Sequence, residues 1–187
     1  MRRRVGCELK PIGLLLLFLI SSELPKVQTR AIDFVCNTAD RRNMNNAKDL
    51  EVAMVGCSGS DALPVTLQLP CVGILKASWD QKSLQQKSAE VIRALEVLSN
   101  GVGKVRAQAK LSCQSSVLER LEHRVKNYLH IVINLGTMGK EEATVSTPVL
   151  DCPVQQSQSL AQVLKLYNSL LQGKVEQLIK DLQNRCP

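Results

Sequence analysis

Three stretches of this chain carry apolar residues spaced alternately three and four positions apart, the repeat of one face of an α-helix. A weaker stripe of Ala47, Leu50 and Met54 predicts a first helix over roughly 36–55. No segment shows the strict alternation of a strand over a useful length. The pattern therefore predicts an all-α fold of four helices. The three strong stripes are Leu84, Ser88, Val91, Leu95, Leu98, Val102 and Val105; Leu118, Leu121, Val125, Tyr128, Val132 and Leu135; and Leu160, Leu164, Tyr167, Leu171, Val175, Leu178 and Leu182.

Capping signals predict where two of these helices begin. Ser78-x-x-Gln81 can form a capping box at the start of the second helix, and Ser116-x-x-Glu119 can do so for the third. Gly136 predicts the end of the third helix.

The lengths of the connections indicate the topology. Only about seven residues separate the second and third helices, so these two are expected to be antiparallel neighbours, whereas the other two connections have roughly 20 residues. Links that long can run the length of a bundle. The prediction is a long-chain, up-up-down-down four-helix bundle with two long crossover loops. An up-down-up-down carrier bundle remains the alternative.

The N-terminus has the form of a secretory signal peptide. Arg2, Arg3 and Arg4 precede a short apolar run over 12–20, and the small residues Ser21 and Ser22 follow. The run is shorter than the ~20 apolar residues that a membrane-spanning helix requires. We expect a signal peptide over 1–22, with an approximate cleavage site, and a secreted helical domain over 23–187 without membrane insertion. An uncleaved anchor is the alternative.

The charge of the mature chain is mild and dispersed. Removal of 1–22 leaves 20 of the 24 Lys and Arg and 16 of the 17 Asp and Glu, a net charge of +4. Aromatic residues make up 3% of the chain, too few for base stacking, so a nucleic-acid partner is excluded. A modest positive charge fits steering toward an acidic protein surface.

Six cysteines remain after residue 22, and an even number in an oxidising compartment predicts a disulfide framework with 15 possible connectivities. No Cys-x-x-Cys pair suggests a metal site. His123 and His130 lie two helical turns apart, about 10 Å, too far to bind one metal ion directly. No catalytic motif is present, so we expect neither an enzyme nor a cofactor.

Three segments of the chain read LPCVGILKASWDQKSLQQKSAEV, KLSCQSSVLERLEHRVKNYLHIVINLG and LYNSLLQGKVEQLI. Together they resemble the thrombopoietin and erythropoietin family of haematopoietic cytokines, and the similarity covers about 150 residues from Cys36 onward. The Cys113-Gln-Ser-Ser start of the third helix is similar to the thrombopoietin branch, whereas the Cys36-Asn-Thr-Ala start of the first helix departs from the family pattern.

The resemblance implies a monomeric secreted hormone that brings together two copies of a single-pass type I cytokine receptor, similar to the thrombopoietin receptor and coupled to Janus kinases. The implied outcome is proliferation and maturation of megakaryocytes or thrombocytes. Three alternatives stay open: an erythropoietin-like cytokine that acts on red-cell precursors, an antagonist of the same receptor, and a secreted helical-bundle lipid carrier with an apolar pocket.

The resemblance also implies the receptor-binding residues. Lys174 matches a receptor-contacting lysine of the fourth helix, and Gln172 stands where the family usually has arginine. The helical repeat predicts that Gly173 and Ser169 face outward, with Lys174 at the edge of that face. On the third helix, Lys126 takes the place of an arginine of the second receptor face. The residues beside it are Arg120, His123, Asn127 and His130.

The predicted topology and the thrombopoietin pattern together imply the disulfide pairs. The first and fourth helices are expected to be antiparallel, which pairs Cys36 with Cys186. Cys57 then meets Cys113 at the opposite pole. A third bridge from Cys71 to Cys152 lies outside the family pattern and would join the two crossovers, although free thiols or an intermolecular bond stay possible there. Each such loop closure stabilises by roughly 4 kcal/mol in the chain-entropy model.

Overall fold

The computed structural model describes residues 34–37, 47–136, 155–183 and 186 of the chain. The predicted signal peptide over 1–22 and its boundary lie outside the described residues. Within those residues the structure is mostly helical. The helices are α1 (Lys48–Val55), α2 (Lys76–Gln81), α3 (Leu84–Arg106), α4 (Ser112–Gly136), α5 (Leu160–Leu170) and α6 (Glu176–Gln183). The π-helical turn Leu171–Val175 joins α5 to α6. The strands are β1 (Ala62–Leu69) and β2 (Gln155–Ser159).

The apolar stripes of the sequence form the core as predicted. Every stripe residue of α3, α4 and the α5–α6 helix is buried except Leu84, which is half-buried. Ala47 and Leu50 join this core from α1, and Phe34 stacks edge-on against Tyr128 with ring centroids 5.8 Å apart. The helical repeat alone therefore located the faces that pack together.

The second helix begins later than predicted. Ser78 lies within the short helix α2, which ends because Lys82 takes an extended backbone conformation. The capping box forms instead at Ser83, whose side chain accepts a hydrogen bond from the Gln86 amide while the Gln86 side chain accepts one from the Ser83 amide. Ser83-x-x-Gln86 has the same sequence signature as the predicted box.

The third helix also differs from the prediction at its start. It begins at Ser112, so Ser116 lies inside the helix and does not cap it. The helix ends at Gly136, as predicted. Gln114 is buried in the first turn, where its side-chain amide donates hydrogen bonds to the carbonyls of Ser60 (2.7 Å) and Ala62 (3.0 Å). This contact ties the start of α4 to the chain after α1.

The prediction that the chain contains no strands is wrong. β1 and β2 form an antiparallel ribbon in which Leu67 pairs with Ser157 and Leu69 with Gln155. Leu63, Leu67 and Leu69 alternate on the buried side of β1. A pleated strand places every second residue on one face, so this ribbon covers the core with β1 while its other face meets solvent.

The ribbon also supplies the N-terminal cap of α5. The Ser159 side chain accepts a hydrogen bond from the Gln162 amide at 3.2 Å. Asp61, which directly precedes β1, accepts one from the Ala161 amide at 2.8 Å and another from the Ser159 hydroxyl at 2.9 Å. A carboxylate near a helix N-terminus satisfies free amides and complements the helix dipole.

Two of the predicted disulfides are present. Cys36 is bonded to Cys186 with a Cα–Cα distance of 5.8 Å, and Cys57 to Cys113 with 5.9 Å. Cys71 is also disulfide-bonded. Cys152 lies outside the described residues, so its pairing with Cys71 stays a prediction.

Gly101→Ala is expected to lower the free energy of unfolding, because a Cβ there would lie 3.0 Å from the Cγ of buried Leu67. Overpacking of this kind costs about 1–3 kcal/mol, more than the gain of about 1 kcal/mol in helix propensity. Gly173→Ala is the matched control, since the nearest atoms to its Cβ lie at 3.6 and 3.8 Å. Urea unfolding of both variants tests this, and an unchanged stability for Gly101→Ala would contradict it.

Candidate functional site

Lys174 faces inward, in contrast to the prediction. Its side chain is 2% exposed, and its ammonium forms an ion pair with Glu90 of α3 and donates a hydrogen bond to the Cys71 carbonyl at 2.8 Å. The prediction failed because a lysine beside an apolar stripe is ordinarily solvated, whereas here two distant segments supply acceptors. The structure does not present Lys174 as an exposed contact.

Glu90 is shared between two lysines. One carboxylate oxygen faces Lys174 and the other faces Lys82. Burial acts to raise the pKa of the Glu90 carboxyl, but the hydrogen bonds and positive charges of the two lysines outweigh it and hold that pKa below its usual range. The Glu90 carboxylate is thus ionised at neutral pH, and its ion pairs join α3 to the π-helical turn and to Lys82, which follows α2.

Gly173 also contacts the chain itself. A Cβ at this position would lie 3.6 Å from the Val72 carbonyl oxygen and 3.8 Å from Ile74 Cδ1. Gly173 is therefore half-buried under the segment before α2 and does not face outward as predicted. Ser169 lies nearby and is exposed, as predicted, and Gln172 is exposed as well.

The predicted cluster on α4 divides into two edges. Arg120 pairs with Asp49 of α1, and Arg124 donates to both carboxylate oxygens of Asp49, at 2.9 and 2.6 Å. Lys126 pairs with Glu122 at 2.6 Å, and Glu122 also pairs with Arg106 of α3 at 2.8 Å. Arg120 thus lies on the edge toward α1 and Lys126 on the edge toward α3. His123 and His130 are exposed.

These two carboxylates are stabilised as anions. The hydrogen bond from Arg124 is the main cause of the lowered pKa of Asp49, with burial opposing it and the charges of Arg124 and Arg120 adding to it. The hydrogen bond from Lys126 is the main cause of the lowered pKa of Glu122, again against burial and with help from Arg106. Arg120 and Lys126 are both substantially exposed, Lys126 at 60% of its side chain, so both remain accessible to a partner.

Five exposed large apolar residues of the described part of the chain were not predicted from the sequence. Val52 and Val55 of α1 are 64% and 80% exposed, and Leu75 before α2 is 70% exposed. Leu111 and Ile133 are less exposed, at 42% and 40%. The incomplete apolar stripe of the first helix was a signal that part of its apolar surface faces outward. Nothing in the local sequence distinguishes Leu75 from a core residue.

Thermal stability is expected to be nearly constant from pH 7 to about pH 5 and to fall below about pH 4.5, because Asp49, Glu90 and Glu122 have lowered pKa values when folded. A lowered folded-state pKa contributes stability above the unfolded-state pKa, and this is lost as pH falls through the folded-state pKa. Circular dichroism melting across this range tests the expectation. The triple variant Asp49→Asn, Glu90→Gln, Glu122→Gln is expected to lose most of the pH dependence, and an unchanged profile would contradict the assignment.

The described residues contain no group of three or more His, Cys, Asp and Glu side chains that could hold a metal ion. Nor does any helix in that part of the chain have the length and apolar character needed to cross a membrane.

Comparison with known proteins identifies the family. A profile of the erythropoietin/thrombopoietin family matches residues 34–186. Erythropoietin of Epinephelus coioides is 25% identical over 142 residues, which cover 75% of each chain. Thrombopoietin of Mus musculus is 31% identical over 70 residues, 37% of this chain and 20% of that protein. The predicted preference for the thrombopoietin branch is thus not resolved by these matches. The chain belongs to the erythropoietin/thrombopoietin family of secreted, non-enzymatic cytokines, which bind type I cytokine receptors.

Proposed function

We propose that this chain is a haematopoietic cytokine that binds two copies of a single-pass type I receptor and thereby activates receptor-associated Janus kinases. The observation that carries the proposal is the family match over 34–186, which spans all the described helices. The ligand acts as a monomer through two faces and needs no catalytic group.

The helical core is an up-up-down-down bundle with two long crossovers in this proposal. The antiparallel pairing of β1 with β2 supports it, because one strand lies in each crossover and the two run side by side. The Cys36–Cys186 bond supports it as well, since it joins the start of the helical region to the end of the fourth helix.

The first receptor face is the exposed side of α5 and the π-helical turn, at Ser169 and Gln172, together with the crossover segment that covers Gly173. The second face is the exposed side of α4, at Arg120, His123 and Lys126. The support is the exposure of these polar residues, two of which, Gln172 and Lys126, stand at the family positions named above. Direct contact by Lys174 is not part of the proposal, since its side chain is buried.

Within the family, we assign a thrombopoietin-like role in the growth of thrombocyte precursors. The Cys57–Cys113 bond supports this role because it follows the thrombopoietin cysteine pattern. An erythropoietin-like role is the second candidate. It is favoured by the match to Epinephelus coioides erythropoietin over 75% of this chain, against 37% for mouse thrombopoietin.

Two cytokine-dependent cell lines, one with the thrombopoietin receptor and one with the erythropoietin receptor of the same species, separate the candidates. Proliferation of the first line alone is expected. Growth of the second line alone would overturn the thrombopoietin-like assignment, and growth of neither line in the presence of purified, folded protein would overturn the cytokine proposal for these receptors. Growth of both lines would show a shared ligand and overturn the assignment to one branch.

Lys126→Glu is expected to reduce proliferative potency at least about tenfold, while affinity for a single receptor ectodomain stays within about twofold. The new carboxylate would face an acidic surface of the second receptor and repel it, whereas the first receptor binds to the other face. Surface plasmon resonance and the proliferation assay measure the two effects separately. Arg93→Glu, a charge reversal at an exposed position of α3, is the control and is expected to change neither. Full potency of Lys126→Glu would remove Lys126 from the second face.

A further inference from the structure

A buried ionic cluster joins the last helix of the bundle, which consists of α5, the π-helical turn and α6, to the first crossover, which connects α1 with α3. That last helix is the fourth helix predicted from the sequence and is called the fourth helix below. Lys174 is the only lysine among the largest fully buried side chains of the described residues. Burying an ammonium is costly unless it is both paired and hydrogen-bonded. Glu90 provides the opposite charge, and the Cys71 carbonyl provides an acceptor at 2.8 Å.

The same cluster holds both ends of the crossover segment 71–82. At its start, Lys174 binds the Cys71 carbonyl, and Gly173 leaves room for Val72 and Ile74 to lie against the helix. At its end, Lys82 pairs with Glu90. Glu90 therefore binds the end of the segment directly through Lys82, and it pairs with Lys174, which binds the start of the segment at the Cys71 carbonyl.

The middle of the segment is anchored by Trp79. This residue of α2 is buried, and Lys87 Nζ lies 5.6 Å from the centre of its ring. Lys87 also pairs with Asp181 of α6 at 2.8 Å. The middle of the segment is thus linked to α6 through Lys87 of α3.

The outer side of the segment is free to meet a partner. Leu75 is 70% exposed, and Lys76, Ala77 and Asp80 are also exposed. The segment lies over Gly173, beside the exposed residues Gln172 and Ser169. A single continuous surface is therefore made from two parts of the chain that are distant in sequence.

We infer that Lys174 is a positioning residue, which holds the crossover segment 71–82 against the fourth helix and so presents Leu75 beside Gln172 to the first receptor. The receptor in this inference is the one named in the proposed function, and the inference rests on that function. Lys174 affects receptor binding by placing the crossover segment and does not itself contact the receptor. The placement depends on Lys174 because its ammonium pairs with Glu90 and donates a hydrogen bond to the Cys71 carbonyl. An apolar side chain of equal size would make neither contact.

The test compares Lys174→Met and Glu90→Gln with Lys104→Met, which changes an exposed lysine of α3. Hydrogen exchange of the Trp79 and Lys82 amides reports on the crossover, because both are hydrogen-bonded within or at the end of α2. We expect exchange there to become at least about tenfold faster in the first two variants, with α4 unchanged, and to stay the same in Lys104→Met. Unchanged exchange at these amides would overturn the inference, whether or not any receptor binds. Should Lys174→Met fail to fold, Glu90→Gln decides, because glutamine keeps the size of the side chain.

Receptor affinity provides the second readout. Lys174→Met is expected to raise the Kd for the receptor ectodomain at least about tenfold, a loss of about 1.4 kcal/mol. Leu75→Ser is expected to weaken binding strongly in the natural sequence and much less in the Lys174→Met background, since the segment is already displaced there. Additive effects of the two substitutions would overturn the inference. Absence of binding by the unchanged protein would instead count against the proposed function, and the exchange measurements would still decide the role of Lys174.

Discussion

Lys174→Glu is expected to lower the free energy of unfolding by about 3–5 kcal/mol, a large part of the about 5–15 kcal/mol typical of a folded domain. The substitution places a second carboxylate against Glu90 and removes the donor to the Cys71 carbonyl. Both groups lose a partner in a site where the original side chain is 2% exposed. Urea unfolding followed by circular dichroism measures the loss.

The matched control is Lys165→Glu, a charge reversal at an exposed position of α5. This change is expected to alter stability by no more than about 0.5 kcal/mol, as is usual for solvated positions. Equal stability of Lys174→Glu and Lys165→Glu would mean that Lys174 is solvated in solution, and the ion pair with Glu90 would then have no structural importance.

Joint replacement of Cys36 and Cys186 by serine is expected to cost about 3–5 kcal/mol. The bond links residues 150 positions apart, so its loss returns a large conformational freedom to the unfolded chain. The chain-entropy model gives about 5 kcal/mol for a loop of this length, and strain in folded proteins commonly reduces the measured value. Urea unfolding under oxidising conditions measures the difference.

The pair Cys57→Ala and Cys113→Ala provides the comparison, because that bond closes a loop of 56 positions. Its removal is expected to cost about 1 kcal/mol less in the same entropy model. A loss below about 1 kcal/mol for the Cys36 and Cys186 pair would show that the ends of the helical region are held together mainly by packing.

The helical faces could be predicted from the sequence because the signal is local. An apolar residue every three or four positions defines one side of a helix, and Leu95, Val125 and Leu164 are all buried where the repeat places them. The β2 strand carries no such signal. Its sequence, QQSQS, is polar, and its pairing partner lies in the other crossover. The alternation of Leu63, Val65, Leu67 and Leu69 in β1 was present in the sequence and was overlooked.

The helix starts and the surroundings of the candidate binding residues could not be predicted from local sequence. Ser78 and Ser83 both precede a glutamine by three residues, so the local pattern cannot choose between them, and the box forms at Ser83, after the extended backbone of Lys82. The helical repeat predicted Lys174 at the edge of an exposed face, where a lysine is normally solvated. Its burial depends on Glu90 and on the Cys71 carbonyl, which the fold brings from distant positions. The split between Arg120 and Lys126 likewise depends on Asp49 and Arg106, which belong to other helices.

The cap that Asp61 provides for α5 has a consequence for the order in which the protein folds. Its hydrogen bonds to Ser159 and Ala161 span 98 and 100 positions, and the contact of Lys174 with Cys71 spans 103. Contacts this distant in sequence form only after a large loop has closed, and they slow folding. The hairpin of α3 and α4 depends on neighbours in sequence, whereas the fourth helix acquires its cap and its lysine acceptors only when the first crossover is in place. Until β2 has been synthesised, β1 has an unpaired edge, and this is the interval in which the nascent hormone is most exposed to association with other chains.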